Sequence, residues 1–370
     1  MRTYPIAVIG AGIIGLLTAR ELALAGREVV VFEQGAVGRE ASWAAGGILS
    51  PLHPWRYPDP VTWFARHGQE VYPGLCQRLV ETTGIDPEWT ESGLLRLGVD
   101  ESEAAQSWAA RFGVALERRE GGAPLAGYES EEPSLWMPAM AHVRSPRLLR
   151  ALTEDLKLLT VSLHEKARVE AIRWQRSVLK GLVVNGEEVP VTQAVMAGGP
   201  WSSGLLGQYG LSLPVGPVRG QMIVIQARPD TLTTMILKDG RYLVPRRDGA
   251  ILVGSTIEEA GFHKAITTEA RAELVAAATD LLPALRSFPV THQWAGLRPS
   301  SPTGVPFIGE HPEIRGLFVN TGHFRNGIVL GPASALLAAD LVLGRDPKWD
   351  PGFYAPDRGS AGAMREPVLG

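Results

Sequence analysis

Three glycines near the start of the chain have the spacing of a dinucleotide-binding turn. Gly10, Gly12 and Gly15 form the pattern Gly-x-Gly-x-x-Gly, and they lie between a β-rich run at residues 6–9 and a helical pattern at residues 12–25. In this pattern the first glycine permits a tight turn, the second lets the backbone approach a pyrophosphate, and the third lets the helix pack closely on the strand. We therefore predict that the N-terminus of this helix faces the phosphates of a dinucleotide.

An acidic residue, Glu33, follows the next β-rich run, at residues 28–32. It lies about 20 residues beyond the glycines, where a carboxylate hydrogen-bonds the ribose hydroxyls and repels a 2′-phosphate. The two β-rich runs and the helix between them form a βαβ unit of about thirty residues. These features disfavour NADP, but they do not separate FAD from NAD.

Three further glycine-rich segments favour a flavin. Residues 39–49 contain alanines and glycines against which a flat ring system can lie, with Ser42 as a donor to phosphate or ribityl oxygens. Residues 197–202 follow a predicted buried strand, and residues 322–332 join a loop to a helix N-terminus that can stabilise negative charge on a reduced flavin. Each segment alone is also compatible with a plain surface loop, but together they are spaced to contact one long cofactor.

The composition limits the classes of protein to consider. At 370 residues the chain exceeds what a single hydrophobic core usually organises, so two domains are expected. Its 45% hydrophobic and 20% charged residues are typical of a globular protein rather than a disordered one. A formal net charge of −3 provides no field to hold a polyanion, so we expect no nucleic-acid partner. The single cysteine, Cys76, excludes a disulfide within the chain and a multi-cysteine metal site, and we expect no metal.

The apolar run at residues 6–17 superficially resembles a secretory signal, and residues 23–25 imitate its cleavage site. Its three glycines instead punctuate a strand, a turn and a helix. Arg20 and Glu21 then end the run well short of the roughly 20 apolar residues that are needed to cross a bilayer. We therefore predict no membrane span and a cytoplasmic location.

The glycine-rich segments, together with Val218-Arg219-Gly220-Gln221 and Gly296-Leu297-Arg298-Pro299, resemble the FAD oxidoreductases of the D-amino-acid oxidase type, and within them the glycine oxidases of thiamine biosynthesis. The resemblance runs from residue 4 to about residue 343. It implies an α/β fold in which a Rossmann-type FAD-binding domain and a mixed β-sheet substrate domain are built from discontinuous segments. We assign residues 1–84, 141–215 and 296–354 to the FAD-binding domain and residues 85–140 and 216–295 to the substrate-binding domain. The polar end, residues 355–370, is expected to be poorly ordered.

The resemblance also implies which residues form the site. Arg298 matches the family's carboxylate-binding arginine, whose planar fork suits a carboxylate. Tyr242 matches the tyrosine that joins this clamp, and Arg325 matches an arginine that shapes the site from the flavin-side loop. His323 is a candidate general base, although an imidazole in such a loop often only hydrogen-bonds the backbone or the flavin. The predicted cofactor-binding residues are Gly10, Gly12, Ile13, Ile14, Gly15, Glu33, Gln34, Ala41, Ser42, Ala45, Gly46, Gly47, Ile48, Gly198, Trp201, His323, Arg325, Asn326, Gly327 and Ile328.

The same comparison predicts that FAD binds without a covalent tether. Sarcosine-oxidase-type relatives attach the flavin through a cysteine close to the Gly-Leu-Arg-Pro sequence, where this chain has residues 299–302, Pro-Ser-Ser-Pro. Dehydrogenase relatives attach the flavin through a histidine in the glycine-rich segment that corresponds to residues 39–49, where this chain has Trp43 and Ala44. Cys76 lies elsewhere, on a predicted helix, as a small core residue.

The reaction implied is oxidative deamination of glycine, or of small amines such as sarcosine or D-alanine. Hydride passes to flavin N5, the imine hydrolyses to a 2-oxo acid and ammonia, and oxygen is reduced to hydrogen peroxide. The imine from glycine would serve thiazole synthesis, and relatives of this type often form tetramers. Two alternatives stay open, a D-amino-acid dehydrogenase that passes electrons to a quinone and a non-catalytic flavin or nucleotide sensor. The sequence does not set the size of the substrate pocket, for which Met222 and Ile257 are candidate wall residues.

Overall fold

Two large β-sheets organise the chain, with the helices packed around them. The computed structural model describes residues 5–121 and 128–358. The predicted poorly ordered end lies outside the described residues from residue 359 onward. Its first residues are held, because the Arg358 guanidinium donates to the carbonyl oxygens of Pro306 and Val305 at 2.8 and 2.9 Å.

The described residues form eight α-helices, several of which end at a glycine in the left-handed conformation. The helices are α1 Ile13–Leu24, α2 Ala41–Ala44, α3 Asp59–Thr83, α4 Ser102–Phe112, α5 Ser145–Leu158, α6 Ser202–Leu206, α7 Thr268–Leu281 and α8 Gly327–Leu343.

The strands of the described residues vary from two residues to eleven. They are β1 Ile6–Ile9, β2 Val29–Phe32, β3 Thr90–Glu91, β4 Leu94–Leu97, β5 Glu117–Arg119, β6 Ser134–Met137, β7 Ala141–His142, β8 Ser162–His164, β9 Val169–Gln175, β10 Val178–Val184, β11 Glu187–Pro190, β12 Ala194–Met196, β13 Gly216–Gln226, β14 Met235–Lys238, β15 Arg241–Pro245, β16 Ala250–Gly254, β17 Val290–Ser300, β18 Phe307–Glu310 and β19 Leu317–Thr321.

A six-stranded sheet contains the predicted βαβ unit. Its order is β18-β19-β12-β1-β2-β8, and all neighbours are parallel except β18 and β19. Every residue of β1 and β2 is buried, as expected of central parallel strands that are covered on both faces. Apolar residues of α1, α3, α5 and α8 pack on one face. The small antiparallel sheet β11-β10-β9 contributes to the core on the other. The predicted Rossmann-type α/β arrangement is confirmed.

An eight-stranded mixed sheet forms the second layer. Its order is β17-β13-β16-β15-β14-β4-β6-β5, in which only β14 and β4 are parallel neighbours. Helix α7 covers one face through Leu274 and Ala278, while Met222 and Tyr242 belong to the core on the opposite face. Strand β17 continues this sheet through residues 296–300, which the predicted division places with the FAD-binding segments. The division into domains otherwise stays a prediction.

No helix of residues 5–121 and 128–358 has the length and apolarity needed to cross a membrane.

Candidate active site

A cavity of about 840 Å³ lies between the two large sheets. At one side it is bounded by residues that follow the carboxyl ends of β1, β2, β12 and β19, which is where ligands bind in open α/β sheets. At the other side it is bounded by residues of β13, β15 and β17 from the mixed sheet. The volume lies within the range of cofactor-binding pockets.

The cavity brings together all of the predicted site residues except Gly15. Those that line it are Gly10, Gly12, Ile13, Ile14, Glu33, Gln34, Ala41, Ser42, Ala45, Gly46, Gly47, Ile48, Gly198, Trp201, Tyr242, Arg298, His323, Arg325, Asn326, Gly327 and Ile328. Their roles toward a cofactor or substrate stay predictions.

Two of the residues named from the sequence, Gly15 and Ile257, are not among the described lining residues. Gly15 lies behind the cavity, and a Cβ there would come within 1.9 Å of the Gly10 carbonyl oxygen, so this position serves the close packing of helix on strand. Met222 lines the cavity as predicted.

At the end of the cavity next to the start of α1, two side chains accept from backbone N–H groups. The Glu33 carboxylate is buried and accepts from the N–H groups of Ala11 and Gly35, each at 2.8 Å. Ser42 Oγ accepts from the Ile13 N–H at 2.9 Å, so it satisfies one of the free donors at the start of α1. Its own hydroxyl hydrogen is left to donate, consistent with the role predicted from sequence.

His323 is an unfavourable candidate for a general base. The ring is buried, and its Nε2 lies 2.8 Å from Ser334 Oγ on α8. Burial lowers the pKa of His323 to about 3, because the charged imidazolium would lose its hydration. The arrangement fits a structural role for this ring.

The predicted carboxylate clamp, Arg298 on β17, has a fixed geometry. Its Nη2 donates to Ser255 Oγ at 2.8 Å and its Nη1 donates to the Thr256 carbonyl oxygen at 3.2 Å. Burial lowers the pKa of Arg298 to about 10, and the nearby positive charge of Arg325 contributes to the shift. The guanidinium therefore stays charged at neutral pH.

Gly220, which the sequence analysis did not select, makes room for the clamp. A Cβ at Gly220 would lie 2.1 Å from both Nη1 and Nη2 of Arg298, so the guanidinium rests directly on the backbone of β13. The strand itself is tied down beside this point, since Arg219 Nε donates to Glu258 at 3.0 Å. The motif Val-Arg-Gly-Gln was a signal of this site, although the sequence does not say which of its residues touches Arg298.

Arg246 is a second residue that sequence reasoning missed. It is buried, and its Nη2 donates to the Gly46 carbonyl oxygen at 2.8 Å. Its Nη1 donates to the Val143 carbonyl oxygen at 3.0 Å and to His142 Nδ1 at 2.9 Å. Burial lowers the pKa of Arg246 to about 10. This arginine holds the backbone of the cavity-lining segment around Gly46 in one position.

The acidic and the basic side chains that line the cavity differ in their partners. The acidic residues that line it are Glu33, Glu40 and Glu170. Glu40 pairs with Lys264 at 2.8 Å, Glu33 accepts from the N–H groups of Ala11 and Gly35, and Glu170 accepts from the Gly186 N–H at 2.9 Å. Arg298 and Arg325, in contrast, take part in no ion pair recorded for the described residues. The end of the cavity formed by these arginines is therefore suited to an anion.

The residues present fit FAD bound without a covalent bond. Helices α1 and α8 both begin at the cavity, and neither has a side chain of its N-cap residue bound to its first N–H groups. Asn326 Nδ2 and Asn320 Oδ1 are buried at the cavity wall with no hydrogen-bond partner within the described chain. No cysteine is among the described lining residues, and burial raises the pKa of the Cys76 thiol, in the core on α3, to about 12.

Comparisons with known proteins agree with this picture. The profile of the DAO family, described as FAD dependent oxidoreductase, matches residues 5–341. The glycine oxidase of Pseudomonas aeruginosa is 47% identical over 358 residues, which cover 95% of this chain and 98% of that protein. The bifunctional protein ThiO/ThiG of Trichormus variabilis is 30% identical over 94% of this chain and 54% of its own length.

The fold agrees as well. The crystal structure of glycine oxidase from Geobacillus kaustophilus superimposes with a TM-score of 0.91 and 30% sequence identity, over 97% of this chain and 100% of that one. The similarity thus extends over both large sheets and the cavity between them, and it confirms the resemblance noted in the sequence. From this agreement we conclude that the chain belongs to the DAO family of FAD-dependent oxidoreductases.

Proposed function

We propose that this protein catalyses the FAD-dependent oxidative deamination of glycine, with sarcosine and D-alanine as further small substrates, in the service of thiazole synthesis for thiamine. The observation that carries the proposal is the half-buried guanidinium of Arg298, which Ser255 and Thr256 hold at the cavity wall. The names of its relatives, glycine oxidase and ThiO/ThiG, support the same reaction. Overall, glycine, oxygen and water give glyoxylate, ammonia and hydrogen peroxide.

The clamp fixes the orientation of the substrate. Arg298 offers its remaining N–H groups to the substrate carboxylate, and the hydroxyl of Tyr242, which also lines the cavity, completes the binding of that carboxylate. Pinning one end of so small a molecule directs the α-carbon in one direction, and such positioning supplies much of the rate enhancement. FAD, when bound along the cavity, supplies the acceptor for the hydride that leaves this carbon.

The side chains around the clamp favour a neutral substrate amine. Two guanidinium groups, those of Arg298 and Arg325, line the cavity. Of the lining carboxylates, that of Glu40 is paired with Lys264, and those of Glu33 and Glu170 accept from backbone N–H groups. A neutral amine has a free lone pair, which assists the departure of the hydride from the adjacent carbon. This accounts for a reaction that needs no general base, and His323 then acts only in shaping the loop.

Apolar side chains shield the reacting end from water. Met222 and Tyr242 are almost completely buried, and both line the cavity together with Ile48 and Leu52. A dry site strengthens the attraction between Arg298 and a carboxylate. It also delays hydrolysis of the imine until the product leaves.

A substrate panel on the purified, FAD-loaded protein tests the proposal. We expect peroxide release with glycine and sarcosine in the absence of any artificial acceptor, and weaker release with larger D-amino acids. Reduction of a quinone without peroxide release would instead support a D-amino-acid dehydrogenase. A flavin spectrum that high glycine leaves unchanged under anaerobic conditions would support a sensor. Sedimentation and cell fractionation would test the tetramer and the cytoplasmic location, which both stay predictions.

A further inference from the structure

The segment that follows β16 provides both hydrogen-bond supports of the clamp. Ser255 Oγ accepts from Arg298 Nη2 at 2.8 Å, and the Thr256 carbonyl oxygen accepts from Nη1 at 3.2 Å. Both residues lie beyond the last residue of β16, so the pairing of that strand does not fix them. The direction of the guanidinium therefore depends on what holds residues 255–258 in place.

Backbone hydrogen bonds tie this segment to β13. The Thr256 N–H donates to the Gln221 carbonyl oxygen at 3.2 Å. Arg219 and Glu258 exchange two hydrogen bonds, in which the N–H of each donates to the carbonyl oxygen of the other at 2.9 Å. Gly220, on which the guanidinium rests, lies between the two β13 residues. The segment and this part of β13 thus contact the clamp as one unit.

The side chain of Glu258 joins the segment to the strand a second time. Its Oε1 accepts from the Thr256 hydroxyl and from Gln221 Nε2, the latter at 3.0 Å. Its Oε2 accepts from Arg219 Nη2 and, at 3.0 Å, from Arg219 Nε. Thr256 Oγ accepts in turn from the Gln221 N–H at 2.8 Å. Glu258 therefore links the residue that supports Arg298 to both residues that flank Gly220.

This network needs a carboxylate at its centre. The side chains of Arg219 and Glu258 are only 10% and 26% exposed, and charge-assisted hydrogen bonds withdrawn from water are strong. Partial burial opposes the charge, but the hydrogen bonds from Thr256 and Arg219 lower the pKa of Glu258 from its ordinary value, so the group is ionised at neutral pH. An amide in its place would offer a single acceptor oxygen and would turn an NH₂ group toward another donor.

We propose that Glu258 is a positioning residue for the clamp, which holds residues 255–258 where they direct the guanidinium of Arg298 toward the substrate carboxylate. It acts through Thr256 and Arg219 and is not among the described residues that line the cavity. The inference rests on the proposed function, which assigns the substrate carboxylate to Arg298.

Acetate binding to the FAD-loaded enzyme tests this directly, because acetate has the carboxylate of glycine but no amine to oxidise. The Kd is measured from the change in the flavin spectrum. Because a small displacement of a positioning group weakens a site strongly, we expect Glu258→Gln to raise the Kd for acetate and the KM for glycine by about tenfold, with a smaller loss in kcat. The affinity for FAD should be unchanged. Glu259→Gln, the same change at the next and exposed residue, is the matched control and should bind acetate as the parent chain does.

Variants of Thr256 test the same link without a change of charge. Thr256→Val removes the hydroxyl that donates to Glu258 at nearly the same size, and Thr256→Ser keeps it. Loss of one hydrogen bond predicts an increase of about fivefold in the Kd for acetate in Thr256→Val and little change in Thr256→Ser. Since both residues act along one path, Glu258→Gln combined with Thr256→Val should raise the Kd by less than the product of the two single effects.

Arg298→Ala separates the failure of this inference from that of the proposed function. Parent-like acetate affinity in Glu258→Gln and Thr256→Val, with binding weakened by about tenfold or more in Arg298→Ala, would overturn the inference alone. Equal losses of acetate and FAD affinity in Glu258→Gln would show that Glu258 supports the fold rather than the clamp, and would overturn it as well. Acetate affinity that Arg298→Ala leaves unchanged would overturn the clamp of the proposed function, and the positioning role of Glu258 with it.

Discussion

At the scale of single residues, the site depends on where one guanidinium is held. Arg298→Ala removes the N–H groups that Ser255 and Thr256 leave free, so the carboxylate of the proposed substrate loses its cation. Loss of such a contact costs about 3–4 kcal/mol, or about 100- to 1000-fold in kcat/KM for glycine, mostly through KM. Arg298→Lys should be intermediate, because an ammonium keeps the charge but not the fork. Peroxide release gives the kinetics and the flavin spectrum reports bound FAD, which should be unchanged. Near-normal kinetics in Arg298→Ala would show that the carboxylate binds elsewhere.

Gly220 gives a second prediction at this scale. In Gly220→Ala the new methyl group would occupy the space of the Arg298 guanidinium, which lies 2.1 Å from the ideal Cβ position. Because displacement of a positioning group by about 1 Å can cost on the order of 100-fold, we expect KM for glycine to rise by about 10- to 100-fold with a smaller loss in kcat. Gly216→Ala, on the same strand, is the matched control. A Cβ at Gly216 would lie 3.8 Å from its nearest neighbour, Ser300 Oγ, which is an ordinary van der Waals contact. Equal kinetics in the two variants would mean that the guanidinium adjusts freely.

At the scale of elements, the βαβ unit could be predicted because its signals are local. The buried runs of β1 and β2, the glycine turn between them and the start of α1 all lie within the first part of the chain. The supports of the clamp could not be predicted in this way. Gly220 reaches Arg298 only through the pairing of β13 with β17, and Ser255 only through the end of β16. Such contacts depend on sheet register across long separations, which residue types and spacing do not specify.

Arg246 is another residue whose contacts could not be predicted from the sequence, and the prediction for this scale concerns its removal. It follows β15 and bonds the Gly46 carbonyl oxygen across 200 residues of sequence. Arg246→Met leaves that oxygen, the Val143 carbonyl oxygen and His142 Nδ1 without their donor, and each unsatisfied buried group costs about 1–3 kcal/mol. The segment around Gly46 should then lose its fixed position, and FAD affinity should fall by roughly 10- to 100-fold if about 1.4–3 kcal/mol is lost from binding.

Fluorescence titration of the apoprotein with FAD measures this effect. Arg247→Met is the control, because Arg247 is the next residue but is exposed and pairs with Asp86 at 2.8 Å. Equal FAD affinity in Arg246→Met and Arg247→Met would mean that Arg246 stabilises the fold without ordering the cavity wall.

At the scale of the whole molecule, the two large sheets hold the cavity between them through contacts across its rim. Lys264, in the chain beyond β16, pairs with Glu40 at the start of α2. The ring of Trp201, which follows β12 of one sheet, packs against the ring of Phe262, which lies beyond β16 of the other, with 5.6 Å between the ring centroids. The Trp294 indole N–H on β17 donates to the Ala44 carbonyl oxygen at 3.1 Å. Arg298 and the glycine-rich segments that line the cavity therefore keep a fixed relation to each other, and the candidate site depends on the integrity of the whole fold.

The stability of the whole fold is expected to fall in acid, because several histidines are buried as neutral rings. His53, His142 and His323 are buried, and burial, which disfavours the charged ring, lowers their pKa values far below the ordinary 6.5, to about 3 for His53 and His323. The unfolded chain takes up these protons below pH 6.5 and the folded chain does not, so the free energy of unfolding falls as the pH is lowered from 6.5 toward 3. The loss is about 1.4 kcal/mol per pH unit for each histidine, or about 2 kcal/mol each between pH 7 and pH 5.

Urea unfolding at constant excess FAD, at pH 7, 6 and 5, measures this loss. His323→Gln should reduce the pH dependence by the share of one histidine, while His292→Gln, at an exposed position on β17, should leave it as in the parent chain. The carboxyl groups do not produce the same slope in this range. Glu101 and Glu258 have pKa values lowered from 4.5 by hydrogen bonds, so their contributions are lost only at lower pH, and burial raises the pKa of Glu21, which acts in the opposite direction. A free energy of unfolding that stays constant from pH 7 to pH 5 would therefore mean that His53 and His323 accept protons in the folded protein, and the assignment of His323 as a neutral structural ring would be wrong.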